Sequence, residues 1–416
     1  MEIANWAGNQ SFRPQRFHEP SSVKDLQQIV GAAQHVRALG TRHSFNDIAD
    51  TSGDLVSLAN LPTVLDIDES NCTVTANAGA RYAELGSTLH ERGWALANTA
   101  SLPHISLGGA IATGTHGSGS GNGNLATAAV GFEMVTADGD RLRFSAGDTD
   151  FHGAVMGLGA IGVVTEYTLA IQPTFDVAQT VFTDASFDSV VDHFDAVMDA
   201  AYSVSMFTKW IGPTVDQIWV KRRTDQHEVP LPVDALRAVA QLHPVPDVDA
   251  TACTIQGGVA GPWIDRLPHF RVDARPSAGH EIQSEYLMPR SCARQAIDAV
   301  RHVGDHLAEQ LLISEIRTIA SDDLWLSPNY QQDSVAFHFT WRPNWEAVRQ
   351  ALEIVERALE PFSPRPHWGK TFLTTAAGIA SFYPKVGDFR TLCTGLDPSG
   401  KFRNDFTSRY IFGGDQ

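Results

Sequence analysis

At 416 residues the chain exceeds what one ordinary hydrophobic core fills, which favours two domains or two lobes. Its 48 acidic against 31 basic side chains leave a net charge of −17, the wrong sign for nucleic acid or an anionic membrane surface, so a small neutral or weakly charged molecule is the partner that composition favours. The cysteines Cys72, Cys253, Cys292 and Cys393 stand far apart with no CxxC pair, which suggests neither a disulfide framework nor zinc.

The stretch MEIANWAGNQSF lacks the basic and apolar regions of a secretory leader, and no apolar run reaches membrane-spanning length, so a cytoplasmic protein is expected. Ser21-Ser22 followed by Asp25 predicts a helix start, with Val23, Leu26, Val30 and Ala33 on one face. His35–Leu39 is extended and ends at Gly40. Beyond it, ALGTRHSFNDIAD sets His43 between a Gly-Thr-Arg turn and a Ser-Phe-Asn corner, as a loop residue or as a reactive group held still. TVLDID and CTVTANAG predict a hairpin, and Tyr82, Leu85 and Leu89 mark a helix that Gly93 closes.

Ser106–Asn124, SLGGAIATGTHGSGSGNGN, carries no charged residue. It has no Gly-Lys-Ser/Thr of a P-loop, no GxSxG elbow, and its formal GxGxxA at Gly121, Gly123 and Ala126 lacks the strand and long helix of a Rossmann unit. A loop whose backbone N–H groups wrap a phosphate-bearing ligand fits what is left. The alternative is a flexible linker, for which the apolar Ile105, Leu107, Ile111 and Leu125 would be superfluous. Next come a hairpin around Asp138-Gly139 and, over Phe151–Pro173, a helix, a glycine turn and a strand.

From Phe175 the pattern changes. Longer helical runs such as FDSVVDHFDAVMDAAYSV alternate with strand-like pieces, and Pro230–Pro246 has the proline spacing of an exposed connection. Three segments place polar residues two apart: Gln283 and Glu285, Glu315 and Arg317, His338 and Thr340. On strands each pair shares one face. Both half-exposed strands and a hydrogen-bonding pocket satisfy that spacing. RPHWGKTF adds His367, Trp368 and Lys370 beside a tight glycine, and no HExxH, EF-hand or carboxylate set suggests metal catalysis.

Taken together, GTRHSFN, ASLPHISLGGAIATGTHGSG, QSEYLMPR, EIRT, HFTW, RPHWGK and LDPSGKFRN resemble the alditol oxidases, including xylitol oxidases, of the vanillyl-alcohol-oxidase flavoprotein superfamily. The resemblance covers nearly the whole chain and keeps the motif order. It implies an α+β, two-domain vanillyl-alcohol-oxidase-type fold. An FAD-binding domain of the PCMH type would span 1–174, a mixed α/β substrate domain 175–370, and a segment 371–416 would return to the first. It also implies FAD joined covalently through its 8α-methyl carbon to His43, with Ala38, Leu39, Gly40, Thr41, Arg42 and Ser44 running along the flavin. Ser101, Ser106, Gly109, Thr113, Gly114, Thr115 and His116 would hold the pyrophosphate and flavin edge, with Val164 toward the adenine and His367 close by. No cysteine near the glycine-rich segment supports a second covalent bond.

By the same resemblance Ser101, Glu315, Arg317, Thr340 and Lys370 would bind the polyol, with His338 beside them. Arg317 and Lys370 would meet the C1 hydroxyl, Glu315 would take a neighbouring hydroxyl and hold Arg317, and Lys370 or His338 would accept the proton. The implied reaction oxidises the terminal hydroxyl of an alditol such as xylitol or sorbitol to the aldose, with O₂ reduced to H₂O₂, in a monomer. An aldonolactone oxidase or dehydrogenase of the same superfamily is the alternative, and a non-catalytic binding protein is the reading from another class.

Overall fold

The computed structural model of the chain describes residues 3–274 and 281–413; the outermost residues of the expected first and last segments lie outside these. The Ser22 hydroxyl accepts the Asp25 amide at 3.1 Å and starts the helix Val23–Ala32, which buries Leu26 and Val30 as its periodicity predicts. The strand Val36–Leu39 then lies parallel to Asp54–Ser57, which pairs in parallel with Arg16–His18. Both predicted hairpins form, Leu65–Asp68 with Thr73–Asn77 and Ala129–Val135 with Arg141–Ser145. Val163–Ala170 joins them into a five-stranded antiparallel sheet. Gly93 and Gly139 take the positive φ their turns require, +83° and +84°.

The second region is a nine-stranded antiparallel sheet. Along its main path the strands run 236–237, 176–183, 217–223, 203–208, 311–319, 334–341, 282–289 and 365–366, with 260–262 added beside 176–183. The helical run expected from Phe187 onward is split. Helices Phe187–Asp192 and Phe194–Met198 meet at His193, and Ser203–Thr208 is a strand buried at every position. Pairing on both edges outweighs local helical periodicity there. Helices Ala293–Leu307 and Trp345–Leu359 share a core with Tyr286, Ile316, Phe337, Phe339 and Trp341. Alternation sends the polar pairs of the same strands to the opposite face. The expected exposed connection Pro230–Pro246 alternates exposed and half-buried residues as far as Gln241 but turns inward at its end, where His243 is 5% exposed.

The chain finally returns to the first region through helices Ala376–Phe382, Val386–Leu396 and Asp405–Tyr410. The Val36 amide donates to the Lys401 carbonyl at 2.9 Å, and Lys401 Nζ donates to the carbonyls of Val30 and Ala137 at 2.8 and 2.6 Å. Arg37 is buried against backbone alone. It donates to the carbonyls of Phe402, Gly159 and Leu158 at 2.9, 2.7 and 2.7 Å and also to that of Ile48, and burial draws its pKa down to about 10. Among the described residues no helix is long and apolar enough to cross a membrane.

Candidate active site

A cavity of about 520 Å³ lies between the His43 turn and the polar face of the large sheet. Its first wall is the turn that follows strand Val36–Leu39. Arg42 takes a φ of +65°, and His43 comes to rest with its ring stacked on Trp6 at 5.4 Å and Nδ1 3.1 Å from the Thr41 hydroxyl. Burial, aided by the charge of Lys370, lowers the His43 pKa to about 4, so the imidazole is neutral and carries a free lone pair.

Across from the turn, Ser106 opens the helix Leu107–Ala112, and its amide donates to Thr41 Oγ1 at 3.2 Å. The Ser106 hydroxyl is buried with no partner among the protein groups. A Cβ on Gly40 would lie 2.6 Å from that hydroxyl and 3.7 Å from the Gly109 Cα, so both glycines keep the space open. An unpaired buried donor in an uncharged glycine cradle suits an anionic, phosphate-bearing group such as FAD. Ala38–Ser44, Ser101, Ser106, Gly109, Thr113, Thr115, His116, Val164 and His367 all line the cavity. Gly114 is absent from the lining; its φ of +66° turns the loop, and a Cβ there would meet the Met156 side chain.

The second wall is the sheet face. Glu285, His338 and Glu315 stand level on three adjacent strands, and Gln283 stands level with Thr340. The polar pairs are therefore a pocket lining, with Glu285, Glu315 and Arg317 no more than 5% exposed. The expected Glu315–Arg317 pairing is present as an ion pair, with Glu315 Oε1 3.7 Å from Arg317 Nε, but the hydrogen bond of Arg317 goes elsewhere: its Nη2 donates to Glu285 Oε1. The partner of Arg317 across the strand pair is Ala336, whose small side chain lets the guanidinium cross the middle strand to Glu285. Glu315 takes its hydrogen bond from His269 Nε2 at 2.8 Å.

Burial alone would raise both carboxyls, but Arg317 and the neighbouring histidines hold them well below the usual range. Burial lowers Lys370 to about 8; its ammonium donates to Gln283 Oε1 and sits 5.0 Å from the centre of the Phe45 ring. Because Lys370 only donates, the atom facing it is the amide oxygen, which makes His338 Nε2, 3.1 Å away, a second donor to it. His338 is then neutral with its lone pair on Nδ1, as burial and Lys370 together lower its pKa to about 3. His116, Glu285 and His367 are spaced for a metal ion, yet Arg317 already occupies Glu285. Sequence reading gave no role to Glu281, Gln283, Glu285 or His269. Gln283 and Glu285 carry a visible alternation signal, and His269 carries none.

Fold and site together define an FAD-binding oxidoreductase of the vanillyl-alcohol-oxidase superfamily. Residues 14–145 match the family described as FAD binding domain, and residues 278–410 match D-arabinono-1,4-lactone oxidase. The chain is 48% identical over 407 residues to an alditol oxidase from Streptomyces sp., covering 97% of each. It is 30% identical over 429 residues to an L-gulono-1,4-lactone dehydrogenase from Mycobacterium tuberculosis, covering 98% of each. The cholesterol oxidase of B. sterolicum shares the fold, with a TM-score of 0.79 at 14% identity over 99% of this chain and 96% of that one. The chain belongs to the alditol oxidase family and is a flavin-dependent oxidase.

Proposed function

We propose that the protein oxidises the terminal CH₂OH of a linear alditol such as xylitol or sorbitol to the aldehyde of the aldose, with FAD held covalently through His43 and O₂ converted to H₂O₂. FAD, when bound, supplies the two-electron acceptor and returns the electrons to O₂, so that R–CH₂OH and O₂ give R–CHO and H₂O₂. The observation that carries the reading is a largely buried face bearing two ionised carboxylates, two cations and a neutral histidine, set across one cavity from the His43 turn.

A linear alditol is neutral with a hydroxyl on every carbon, and it satisfies such paired donors and acceptors in full. A missing hydroxyl leaves buried groups unpaired. Arg317 and Lys370 face the C1 oxygen and stabilise the charge that develops there, His338 Nδ1 accepts the C1 hydroxyl proton, and Ser101, Thr340 and Glu315 take further hydroxyls. The turn 38–44 with Ser101, Ser106, Gly109, Thr113–His116, Val164 and His367 holds FAD. We place the domain boundaries at 174/175 and 370/371; the bonds from Val36, Arg37 and Lys401 support assigning the last segment to the FAD side.

The match of residues 278–410 favours a second reading, oxidation of an aldono-1,4-lactone. An absorption spectrum of the purified protein, followed by anaerobic bleaching with xylitol, sorbitol or L-gulono-1,4-lactone and by peroxide detection, separates the two. A bleached flavin with polyols is expected. Bleaching by the lactone alone replaces the first reading with the second.

A further inference from the structure

Glu315 can select a hydroxyl only if its carboxylate is fixed, and the groups that fix it lie outside the cavity's reacting end. Lys221 is 1% exposed, and its Nζ stands 2.5 Å from the Leu267 carbonyl, 3.1 Å from that of Pro268 and 3.0 Å from His269 Nδ1. Three acceptors match the three hydrogens of its charged form, whose pKa burial draws down to about 7. With Nδ1 occupied as an acceptor, the neutral His269 ring must carry its hydrogen on Nε2, which lies 2.8 Å from Glu315 Oε1. The opposite tautomer would set a lone pair against a carboxylate. Phe207 and Trp219 pack edge-on against the ring, with centroids at 5.6 and 5.2 Å, and fix its plane. The same segment grips a second proposed substrate contact: the amides of His269 and Phe270 donate to the Ser101 carbonyl at 3.1 and 3.2 Å.

The geometry points to Lys221 and His269 as positioning residues that orient Glu315 and Ser101, and thereby make the pocket demand the hydroxyl next to the reacting carbon. This rests on the proposed polyol oxidation and adds to it a division of labour. Arg317 and Lys370 serve the oxygen that reacts, while the Lys221–His269 relay serves recognition of the neighbouring one. Lys221 does not line the cavity and His269 does, beside Glu315; both are assigned to hold Glu315 and not the reacting hydroxyl, so losing one should weaken selection and leave the reactive end intact.

The test compares wild type, His269→Phe and His269→Gln as holoenzymes on xylitol and on a 2-deoxyalditol of the same length, with flavin content read from absorbance. His269→Phe keeps the ring packing but has no donor. It should lower kcat/KM on xylitol by about 10- to 100-fold, mostly through KM, the range expected for losing a hydrogen bond to a charged group. Turnover of the deoxy compound should stay within about twofold of wild type, because that substrate never used Glu315. His269→Gln, which returns an N–H near Nε2, should recover most of the preference. If His269→Phe does not fold, His269→Asn is too short to reach Glu315 and carries the same expectation. Equal loss on both alcohols, or no loss on xylitol, overturns the inference while leaving the function standing. A flavin-loaded wild type inert toward every polyol overturns both.

Discussion

The two walls of the cavity solve opposite problems by opposite means. The wall proposed to hold an anionic cofactor is built mostly from uncharged residues, Arg37 and Arg42 aside, with glycines at 40 and 109 and an unpartnered Ser106 hydroxyl. The wall proposed to hold a neutral polyol carries Glu285, Glu315 and Arg317, all buried, and the half-buried Lys370. Backbone N–H groups suffice for a phosphate because they are fixed and numerous. A neutral polyol needs no counter-charge to bind, so the ions on the second wall are placed for hydrogen-bond strength and for charge that arises during reaction.

Separability of the walls is what experiment should attack, and the largest expected effect is at His43. In wild type the yellow chromophore should stay with acid-precipitated, washed protein; in His43→Ala all of it should pass to the supernatant, while the sheet face is untouched. Wild-type flavin found free in the supernatant removes the covalent assignment. Next comes Lys370→Met on the other wall, which should slow anaerobic flavin reduction by about 10²–10³, the usual loss for one aligned donor, with flavin content unchanged. Reduction at the wild-type rate would take Lys370 out of the reaction.

Ser106→Ala, made in the His43→Ala background so that FAD binds reversibly, should weaken FAD binding by about 1–2 kcal/mol in a titration. The stability of the empty protein should not fall, since the hydroxyl has no protein partner to lose. The smallest effect is on pH. Lys370 has its pKa lowered to about 8 and is a cation below that value, while His338 is neutral down to about pH 3. If Lys370 acts as the cation and His338 accepts the proton, stopped-flow reduction is level through neutral pH and falls severalfold as pH rises through about 8. A rate that climbs through the same window reverses the two roles.

Legibility in the sequence followed the same division. The first wall is local: a Gly-Thr-Arg-His-Ser turn and one glycine-rich run sit in consecutive residues, so exclusion of other nucleotide motifs and resemblance to a family led straight to them. On the second wall the two-residue spacing put the polar side chains on shared faces but left open whether those faces met water or a pocket, and spacing within a strand says nothing about what pairs between strands. Arg317 meets Glu285, 32 positions away, because Ala336 leaves the path open, and no pattern around Arg317 encodes that. The Lys221–His269 link, 48 positions long, joins a strand to an irregular segment with no periodicity to read. Helical periodicity misled at Ser203–Val204, the end of the run, because pairing with the strand Gln217–Arg223 decided those residues.

The buried Arg37 has a consequence for how the protein is made. The turn bearing His43 grows out of a strand whose first amide is bonded to Lys401 and whose arginine is bonded to Phe402, 365 positions further on. A ribosome has synthesised almost every residue described here before those carbonyls exist. Until then Arg37 is short of an acceptor and the His43 turn lacks its footing. The proposed bond at His43 should then form late, after translation, and a nascent chain stalled before residue 401 should emerge without covalent flavin.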